Sequence, residues 1–363
     1  MIITILIILF SLIALTALHE LGHFLLARKF GVGVEEFGIG YPPRIFGRKL
    51  GKTFYSFNLL PFGAFVKILG DEQVSDSPES FSKKPIWQRA LILVGGVVSF
   101  WIVAFVIFSF LSGVGGLPKP VEEDFHQSGV EPYVQIFQVS SGSPAQTAGL
   151  KAGDIIKQLS IANDQLPIEI SKVEDVRSFA DEYKGAMIEI NVLRGDEEQT
   201  FSLTPRVDFP ANDGPMGIGL LRVAKIEVPW YKAPVVGFQI TVQQTKGIPV
   251  ALYSAIKSKL SGGPDMGLQF VGPIGVGQVM GQALDSGVGN FLMLVAMISI
   301  WMALFNLAPI PALDGGRLLF LFVEFLRGKP MNQKIEQKII AACFFALIGL
   351  MIIVSVKDII GLF

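Results

Sequence analysis

The sequence predicts an α-helical polytopic membrane protein with about four transmembrane helices, a membrane re-entrant β-hairpin region and an inserted extracytoplasmic α+β domain. Its 363 residues are 51% hydrophobic and 17% charged, which is too apolar for an ordinary soluble protein of this size. A more polar stretch between the second and third apolar segments has the mixed strand and helix periodicity of a globular domain. The net charge of -1 gives no basic surface, so no nucleic-acid partner is expected.

The predicted spans are 2–27, 90–114, 289–313 and 339–356. Each is close to the roughly 20 apolar residues that a helix needs to cross a bilayer. The first span lacks a basic N-terminal region and a small-residue cleavage pattern, so we expect it to be retained and not removed as a signal peptide. The lipid bilayer is therefore an expected partner.

The first span contains His19-Glu20-Leu21-Gly22-His23, an H-E-x-x-H sequence. Two histidines four residues apart lie on one helical face and can both reach one tetrahedral Zn²⁺. A glutamate beside them can take a proton from a water that the metal activates. The alternative is that these polar residues only mark a membrane boundary. Ionisable residues inside a span are costly, which favours the metal site.

Basic residues set the predicted orientation. They cluster between Arg28 and Arg89 and again between Arg317 and Lys338, so both loops should face the cytoplasm. The N-terminus, the C-terminus and the inserted domain then lie on the extracytoplasmic side. His23 precedes Arg28 by five residues, which places the metal inside the membrane towards its cytoplasmic face.

Asp314 is the candidate third ligand. It lies three residues before a basic boundary residue, Arg317, and should therefore lie at about the depth of His23. Pro309 and Pro311 interrupt helical hydrogen bonding before it, and such backbone is tolerated at membrane depth only beside protein or a polar cavity. The alternative is that Asp314 caps a cytoplasmic helix that begins near Gly315.

The loop after the first span is unusually apolar. Val34 to Gly40 and Phe54 to Ile68 are β-prone, with Pro42-Pro43 and Pro61-Phe62-Gly63 as turn signals. One interpretation is a hairpin that returns into the membrane, where a strand edge can pair with an unwound substrate. The other is an ordinary cytoplasmic hairpin.

With these residues, the chain resembles the site-2 proteases, and among them the bacterial regulators of sigma-E type. The resemblance rests on H-E-L-G-H in the first span, on the N-x-x-P-x-x-x-x-D-G sequence from Asn306 to Gly315, and on the order of the spans. Where relatives often have G-P-x-x-N in the second span, this chain has Gly95-Gly96-Val97-Val98-Ser99. We assign that segment no role beyond close helix packing.

The resemblance implies one Zn²⁺ per chain and a set of site residues. The metal ligands would be His19, His23 and Asp314, and the catalytic general base would be Glu20. Substrate binding would involve Asn306, Pro309, Gly63 and Phe62. It also implies that the β-rich loop enters the membrane and receives the substrate.

The inserted domain resembles a single PDZ domain. An S-P-A-x-x-A-G-L-x-x-G-D sequence runs from Ser143 to Asp154 and predicts a short helix that stops at Gly149. A longer helix should bury Val173, Val176, Phe179, Ala180 and Tyr183, and Ile188, Ile190 and Val192 should pair with Phe201 and Leu203. A PDZ peptide ligand would bind at Gly217, Ile218, Gly219 and Leu220, although glycine-rich stretches usually only make turns.

The predicted domains are membrane core 1–120, PDZ domain 121–225, an outer-surface amphipathic segment 226–288, and membrane core 289–363. Residues 234–260 are too polar to span comfortably, so we expect a helix on the outer membrane surface, broken at Pro249. A fifth span is the alternative, although it conflicts with the distribution of basic residues.

The predicted function is an intramembrane zinc endopeptidase of the bacterial cytoplasmic membrane. It would perform regulated intramembrane proteolysis of single-span substrates such as anti-sigma factors or signal-peptide remnants. A catalytically silent PDZ scaffold is a competing class, but it has no chemical need for both Glu20 and Asp314. A metal transporter is a third class, and the spans show no second polar path for it.

Overall fold

The computed structural model describes residues 2–71, 75–162, 167–195, 197–209, 213–261, 272–329 and 331–360. The chain forms two compact units. The first comprises Met1–Ile107, Phe238–Gln278 and Val295–Phe363, and the second comprises Phe108–Gly237 and Val279–Leu294.

The helices are α1 Ile2–Lys29, α2 Ile86–Gly113, α3 Pro144–Ala148, α4 Val173–Glu182, α5 Ala233–Leu260, α6 Pro273–Asp285, α7 Val288–Leu307, α8 Asp314–Arg327 and α9 Gln333–Ile360. The strands are β1 Val34–Leu50, β2 Thr53–Ile68, β3 Leu117–Pro120, β4 Tyr133–Val139, β5 Ile155–Ile161, β6 Ile168–Glu169, β7 Ile188–Arg194, β8 Glu197–Leu203 and β9 Ile218–Ile226.

Among the described residues, four helices are long and apolar enough, by length and composition, to cross a membrane, namely α1, α2, α7 and most of α9. They coincide with the four predicted spans. The third differs at its end: α7 stops at Leu307, and the chain continues without regular structure through Pro309 and Pro311 before α8 begins. The break follows from the two prolines, which cannot donate helical hydrogen bonds.

The first unit contains a sheet formed by β1 and β2, and each strand contributes two paired segments. The first part of β1 lies between two parts of β2: Phe37 pairs with Val66 on one side and with Tyr55 on the other. The last part of β1 pairs with the beginning of β2, from Arg44 opposite Asn58 to Leu50 opposite Thr53.

The two turn signals predicted in this loop lie inside the strands. β1 continues through Pro42-Pro43 and β2 continues through Pro61-Phe62-Gly63, while the hairpin turn lies at Gly51 and Lys52. Near both signals the two strands nevertheless change the segments with which they pair. Tyr41 is opposite Leu60, and the register shifts immediately after this pair. The prolines therefore bend the strands where the pairing changes, and the strands do not stop there.

The first unit is held together where α1, the sheet, α2 and α8 meet. The buried apolar residues of this cluster are Phe24, Ala27, Val32, Val34, Ile68, Phe81, Ile92, Leu93 and Leu321. Arg89 on α2 and Glu324 on α8 add a two-pronged ion pair, with N–O distances of 3.0 and 2.5 Å. These contacts fix the direction of α8 relative to α1 and α2.

The second unit contains a seven-stranded sheet in the order β3-β9-β4-β5-β7-β8, with β6 beside β5. The predicted pairs are present, with Ile188 opposite Leu203 and Ile190 opposite Phe201. Helix α4 buries the predicted face, and α3 ends at Gly149. Strand β3 precedes the predicted domain boundary at 121 and pairs with β9, so the sheet begins earlier in the chain than we expected.

A buried ion pair stabilises the second unit. The Asp154 carboxylate is fully buried, accepts hydrogen bonds from Arg194 at 2.7 and 2.6 Å, and accepts another from the backbone amide of Lys151. The hydrogen bond to Asp154 raises the pKa of Arg194. The final aspartate of the S-P-A-x-x-A-G-L-x-x-G-D sequence thus organises the turn before β5.

The expected break at Pro249 is absent, because α5 is continuous from Ala233 to Leu260. Proline inside a helix removes one hydrogen bond but does not always end the helix. The polar residues of α5 are not confined to one face, so its amphipathic character is weaker than predicted. Its placement on the membrane surface stays a prediction.

Candidate metal centre

The histidine pair lies on one side of α1. His19 and His23 are both buried, and their ring centroids are 4.7 Å apart with nearly perpendicular ring planes. Their Nε2 atoms are 3.2 Å apart. A four-residue separation is close to one helical turn, so the two rings direct nitrogen donors to one place.

Asp314 reaches the same place from the first residue of α8. One of its carboxylate oxygens, Oδ2, lies 3.3 Å from Nε2 of His19 and 3.4 Å from Nε2 of His23. The N-cap of α8 is Leu313, and no side chain caps the helix, so the carboxylate is not used as a helix cap. Glycines at 315 and 316 follow, where a Cβ would lie 2.3 and 2.2 Å from carbonyl oxygens of the preceding segment. Only glycine allows α8 to begin so close to that segment.

These three donors fit zinc. A tetrahedral ion with bonds of about 2.0–2.1 Å has donor atoms about 3.3–3.4 Å apart, and the observed separations are 3.2, 3.3 and 3.4 Å. Two imidazoles and one carboxylate are a donor set used by catalytic zinc sites, which leave one position open. Within the described part of the chain, no other group of three histidine, cysteine or acidic side chains comes this close together.

Helix α2 contacts the rings of both His19 and His23. Nδ1 of His23 lies 2.8 Å from the carbonyl oxygen of Ile92, which assigns the proton to Nδ1 and leaves Nε2 free for a metal. The ring of His19 stacks on Phe100 with centroids 4.6 Å apart. The carbonyl oxygen of Phe100 in turn accepts a hydrogen bond from Ser299 on α7. Both ligand rings are thus oriented by contacts outside α1.

Glu20 lies beside the donor group. It follows His19 directly in α1, and the charges of His19, His23 and Asp314 all act on its carboxylate. The backbone amide of Val66 on β2 lies close to it. A carboxylate in this position can exchange a proton with a water near the three donors.

Residues 7–350 match peptidase family M50. The chain belongs to this family. Among similar proteins, one of Clostridium perfringens that is named as a zinc metalloprotease is 32% identical over 97% of this chain and 98% of the relative. The regulator of sigma-W protease RasP of Bacillus subtilis is 28% identical over 95% of each chain. The zinc metalloprotease RasP of Oceanobacillus iheyensis is 26% identical over 96% of this chain and 97% of the relative.

The predicted family and enzyme class are therefore confirmed. The chain is a zinc metalloprotease of the site-2 protease type, with apolar helices suited to a multi-pass membrane protein. The zinc cofactor that the H-E-x-x-H sequence predicted agrees with the names of these relatives and with the donor set described above.

A glycine pair of this M50 protease, for which the sequence predicted only close helix packing, also contacts the histidine rings. Gly95 on α2 packs against the backbone of Gly22, and a Cβ at Gly96 would lie 2.2 Å from Nε2 of His23 and 2.7 Å from Cε1 of His19. Gly96 therefore keeps open the space between the two ligand rings. A small-residue pair inside a span signals close helix packing, but nothing in the sequence shows which side chains face it.

The predicted substrate-binding residues of the M50 protease lie on separate elements. Asn306 is half-buried near the end of α7, and its amide nitrogen donates to the carbonyl of Met302 in the same helix. Pro309 is exposed in the segment between α7 and α8. Phe62 is 68% exposed on β2, and Gly63 next to it approaches Thr16 of α1, with a Cβ there 3.5 Å from the Thr16 hydroxyl.

The predicted PDZ peptide groove lies on β9 in the second unit. Ile218, Gly219 and Leu220 pair with β4 on one side, while β3 covers only Val223 to Ile226 on the other. This leaves the beginning of β9 with one free edge among the described strands. Gly217 precedes it with a positive φ of 73° and lies beside Arg206.

A charged pair lies next to this edge. Arg206 contacts Asp213 at 2.5 Å. Hydrogen bonds from Ser140 and Arg206 lower the pKa of Asp213, because both stabilise the ionised carboxylate. Asp213 therefore stays charged at neutral pH and partners an arginine beside Gly217.

Proposed function

We propose that the chain hydrolyses a peptide bond within or next to the membrane-spanning helix of single-span substrates, such as anti-sigma factors or signal-peptide remnants. The observation that carries this proposal is the zinc donor set, two of whose three members lie with Glu20 on α1, a helix that is apolar on all sides. A helix of that kind belongs in a membrane or a protein core, and few residues of α1 are buried in the protein. The name of the Bacillus relative, a regulator of sigma-W protease, supports the substrate class.

In this mechanism His19, His23 and Asp314 hold the metal, and Glu20 moves the proton. When bound there, Zn²⁺ would lower the pKa of water and polarise the scissile carbonyl. Glu20 takes the proton of the attacking water and returns it to the leaving amine. The Val66 amide lies beside the Glu20 carboxylate that performs this transfer.

The β1–β2 sheet is the proposed place where the substrate becomes accessible. A helical substrate hides its backbone carbonyls, so it must unwind before hydrolysis. The segment Ala64 to Ile68 pairs with β1 on one side only, and an amide on its other edge reaches Glu20. An unwound substrate strand added to that edge would pass the metal. Phe62 and Gly63 would lie at the end of the edge that is farther from the cytoplasm, and Asn306 and Pro309 would be further contacts.

The proposed orientation follows from charge. The basic loops between Arg28 and Arg89 and between Arg317 and Lys338 face the cytoplasm, so the metal lies towards that side of the cytoplasmic membrane. Both termini and the second unit are then extracytoplasmic.

The second unit is proposed to act as a PDZ domain that selects substrates and performs no chemistry. Support comes from the free edge of β9 at Ile218, the adjacent helix α4, and Gly217 with its positive φ at the start of the strand. Such an edge can bind an extended peptide by strand addition.

The decisive experiment compares the full chain with Glu20→Gln in detergent, using a single-span anti-sigma-factor segment as substrate. We expect wild type to cleave and Glu20→Gln to lose about 10²-fold or more of the rate while keeping its zinc, because the amide retains shape but accepts no proton. Glu174→Gln, on the exposed face of α4, is the matched control and should cleave normally. Undiminished cleavage by Glu20→Gln would refute the assigned role.

A substrate comparison separates intramembrane proteolysis from general proteolysis. A polar soluble peptide with the same scissile sequence should be cleaved far more slowly than the membrane-spanning segment. Equal rates for both would remove the basis for an intramembrane function, and absence of cleavage with bound zinc would favour the scaffold class.

A further inference from the structure

The contacts between the β1–β2 sheet and α1 show which part of that helix each part of the sheet lies beside. Val32 bonds to Ala27 at the cytoplasmic end of α1, while Gly63 lies against Thr16, three residues before His19. The Thr53 hydroxyl bonds to the carbonyl of Val34, so the hairpin turn at Gly51 is level with the start of β1. The turn is thus at the membrane surface and the bends near Gly63 are deep. This ordering rests on the re-entrant placement in the proposed function.

The last part of β1 is the outermost strand of this sheet. From Arg44 to Leu50 it pairs only with the beginning of β2, and no strand in the described chain pairs with its other edge. Nearly every residue in it is exposed on both faces, including Ile45 at 60%, Phe46 at 67% and Leu50 at 53%. An exposed apolar edge of this kind is an aggregation hazard in water, so its natural surroundings are apolar.

Positive charge lies at the end of this strand that is near the surface. Arg48 and Lys49 are exposed and have no ion-pair partner in the described part of the chain. The neighbouring cations differ, since Arg44 pairs with Glu36 and stacks on Phe54, and Lys52 pairs with Glu79. The two free cations are opposite Tyr55 and Phe54, within three residues of the turn.

We propose that Arg48 and Lys49 form a binding site for the headgroups of anionic phospholipids in the cytoplasmic leaflet. Apolar side chains beside exposed cations fit the boundary between acyl chains and anionic headgroups. Ile45 and Phe46 enter the acyl region below, and the two cations bind phosphate at its upper edge. The site anchors the outer strand at one depth, and through the sheet it sets the height of Val66 beside Glu20.

A second copy of the chain is a poorer occupant of this edge. Antiparallel pairing of two such strands over Arg44 to Leu50 would set Arg48 opposite Phe46 and Lys49 opposite Ile45, so neither cation would gain an anionic partner. An anionic surface satisfies the cations and covers the apolar residues at once.

The test uses the full-length protein in neutral detergent micelles doped with equal phosphatidylglycerol and phosphatidylcholine. Native mass spectrometry measures which lipid stays bound to wild type, to Arg48→Gln/Lys49→Gln and to the control Lys157→Gln/Lys225→Gln. The control removes the same charge from exposed positions in the second unit. Wild type and control should prefer phosphatidylglycerol, and the Arg48→Gln/Lys49→Gln preference should fall about fivefold for each lost charge.

Phosphate competition, the oligomeric state, zinc content and cleavage are measured on the same proteins. Excess inorganic phosphate should not displace the lipid, and displacement would mean a free-anion site and overturn the proposal. An unchanged lipid preference in the double variant, or its conversion from a dimer to a monomer, would also overturn it. Zinc content and detergent cleavage of the double variant should match wild type, so a failure here is distinct from a failure of the proposed protease function.

Discussion

At the scale of single residues, the sequence singled out three candidate ligands that the structure brings together, and it missed the contacts that support them. His19, His23 and Asp314 could be proposed because zinc ligands have few chemical types and a fixed helical spacing. The carbonyl of Ile92 and the empty space at Gly96 had no such signal. Every residue type carries a backbone carbonyl, so the sequence does not single out Ile92. The neighbours of a glycine depend on how α1 and α2 pack.

Gly96 provides a direct residue-scale prediction. Gly96→Ala places a methyl group 2.2 Å from Nε2 of His23, so it must displace a ligand ring. We expect zinc affinity to fall about 10-fold or more, the scale of a disturbed ligand shell. Competition with a zinc chelator measures this on purified protein. Gly349→Ala in α9, where a Cβ meets no atom within 4 Å, is the control. Wild-type zinc affinity in Gly96→Ala would contradict the packing described here.

At the scale of elements, the spans and the strands of the second unit were predictable from periodicity. The β1–β2 sheet was not, because its pairing joins segments that the prolines appeared to separate. Pro42-Pro43 and Pro61 lie where the strands bend and change partner, and proline is tolerated there because no ladder hydrogen bond is lost. The continuity of α5 through Pro249 was missed for a similar reason, since one lost hydrogen bond does not end a long helix.

The Asp154–Arg194 pair gives an element-scale prediction. Arg194→Met leaves a fully buried carboxylate without its partner, which should destabilise the second unit by about 3–5 kcal/mol. Hydrogen exchange of β5 and β7 in the full chain reports this loss. Arg177→Met, at an exposed position of α4, should change little. The double variant Arg194→Met/Asp154→Leu should recover most of the stability, and if Arg194→Met alone is harmless the pair has no such role.

At the scale of the whole molecule, the sequence predicted a membrane core with an inserted domain. It did not predict that β3 and residues 279–294 belong to the second unit. Both segments are separated in the chain from the motifs that identify the inserted domain. Their membership depends on long-range pairing and packing, which local periodicity does not encode.

The orientation is tested by labelling in intact cells. In a Cys343→Ala background, Ser178→Cys on exposed α4 should react with a membrane-impermeant maleimide, and Ser82→Cys should react only after permeabilisation. The reason is the basic loop around residue 82, which should remain cytoplasmic. The opposite labelling pattern would reverse the orientation and move the metal to the other side of the membrane.

The central claim is that α1 and α8 together form one zinc site from His19, His23 and Asp314. X-ray absorption at the zinc edge of the Glu20→Gln protein tests it most directly, since this variant retains metal without turnover. We predict nitrogen and oxygen neighbours at about 2.0–2.1 Å with the scattering pattern of two imidazoles, and loss of zinc from Asp314→Ala. A sulfur neighbour, fewer than two imidazoles, or an unchanged zinc spectrum in Asp314→Ala would contradict the claim.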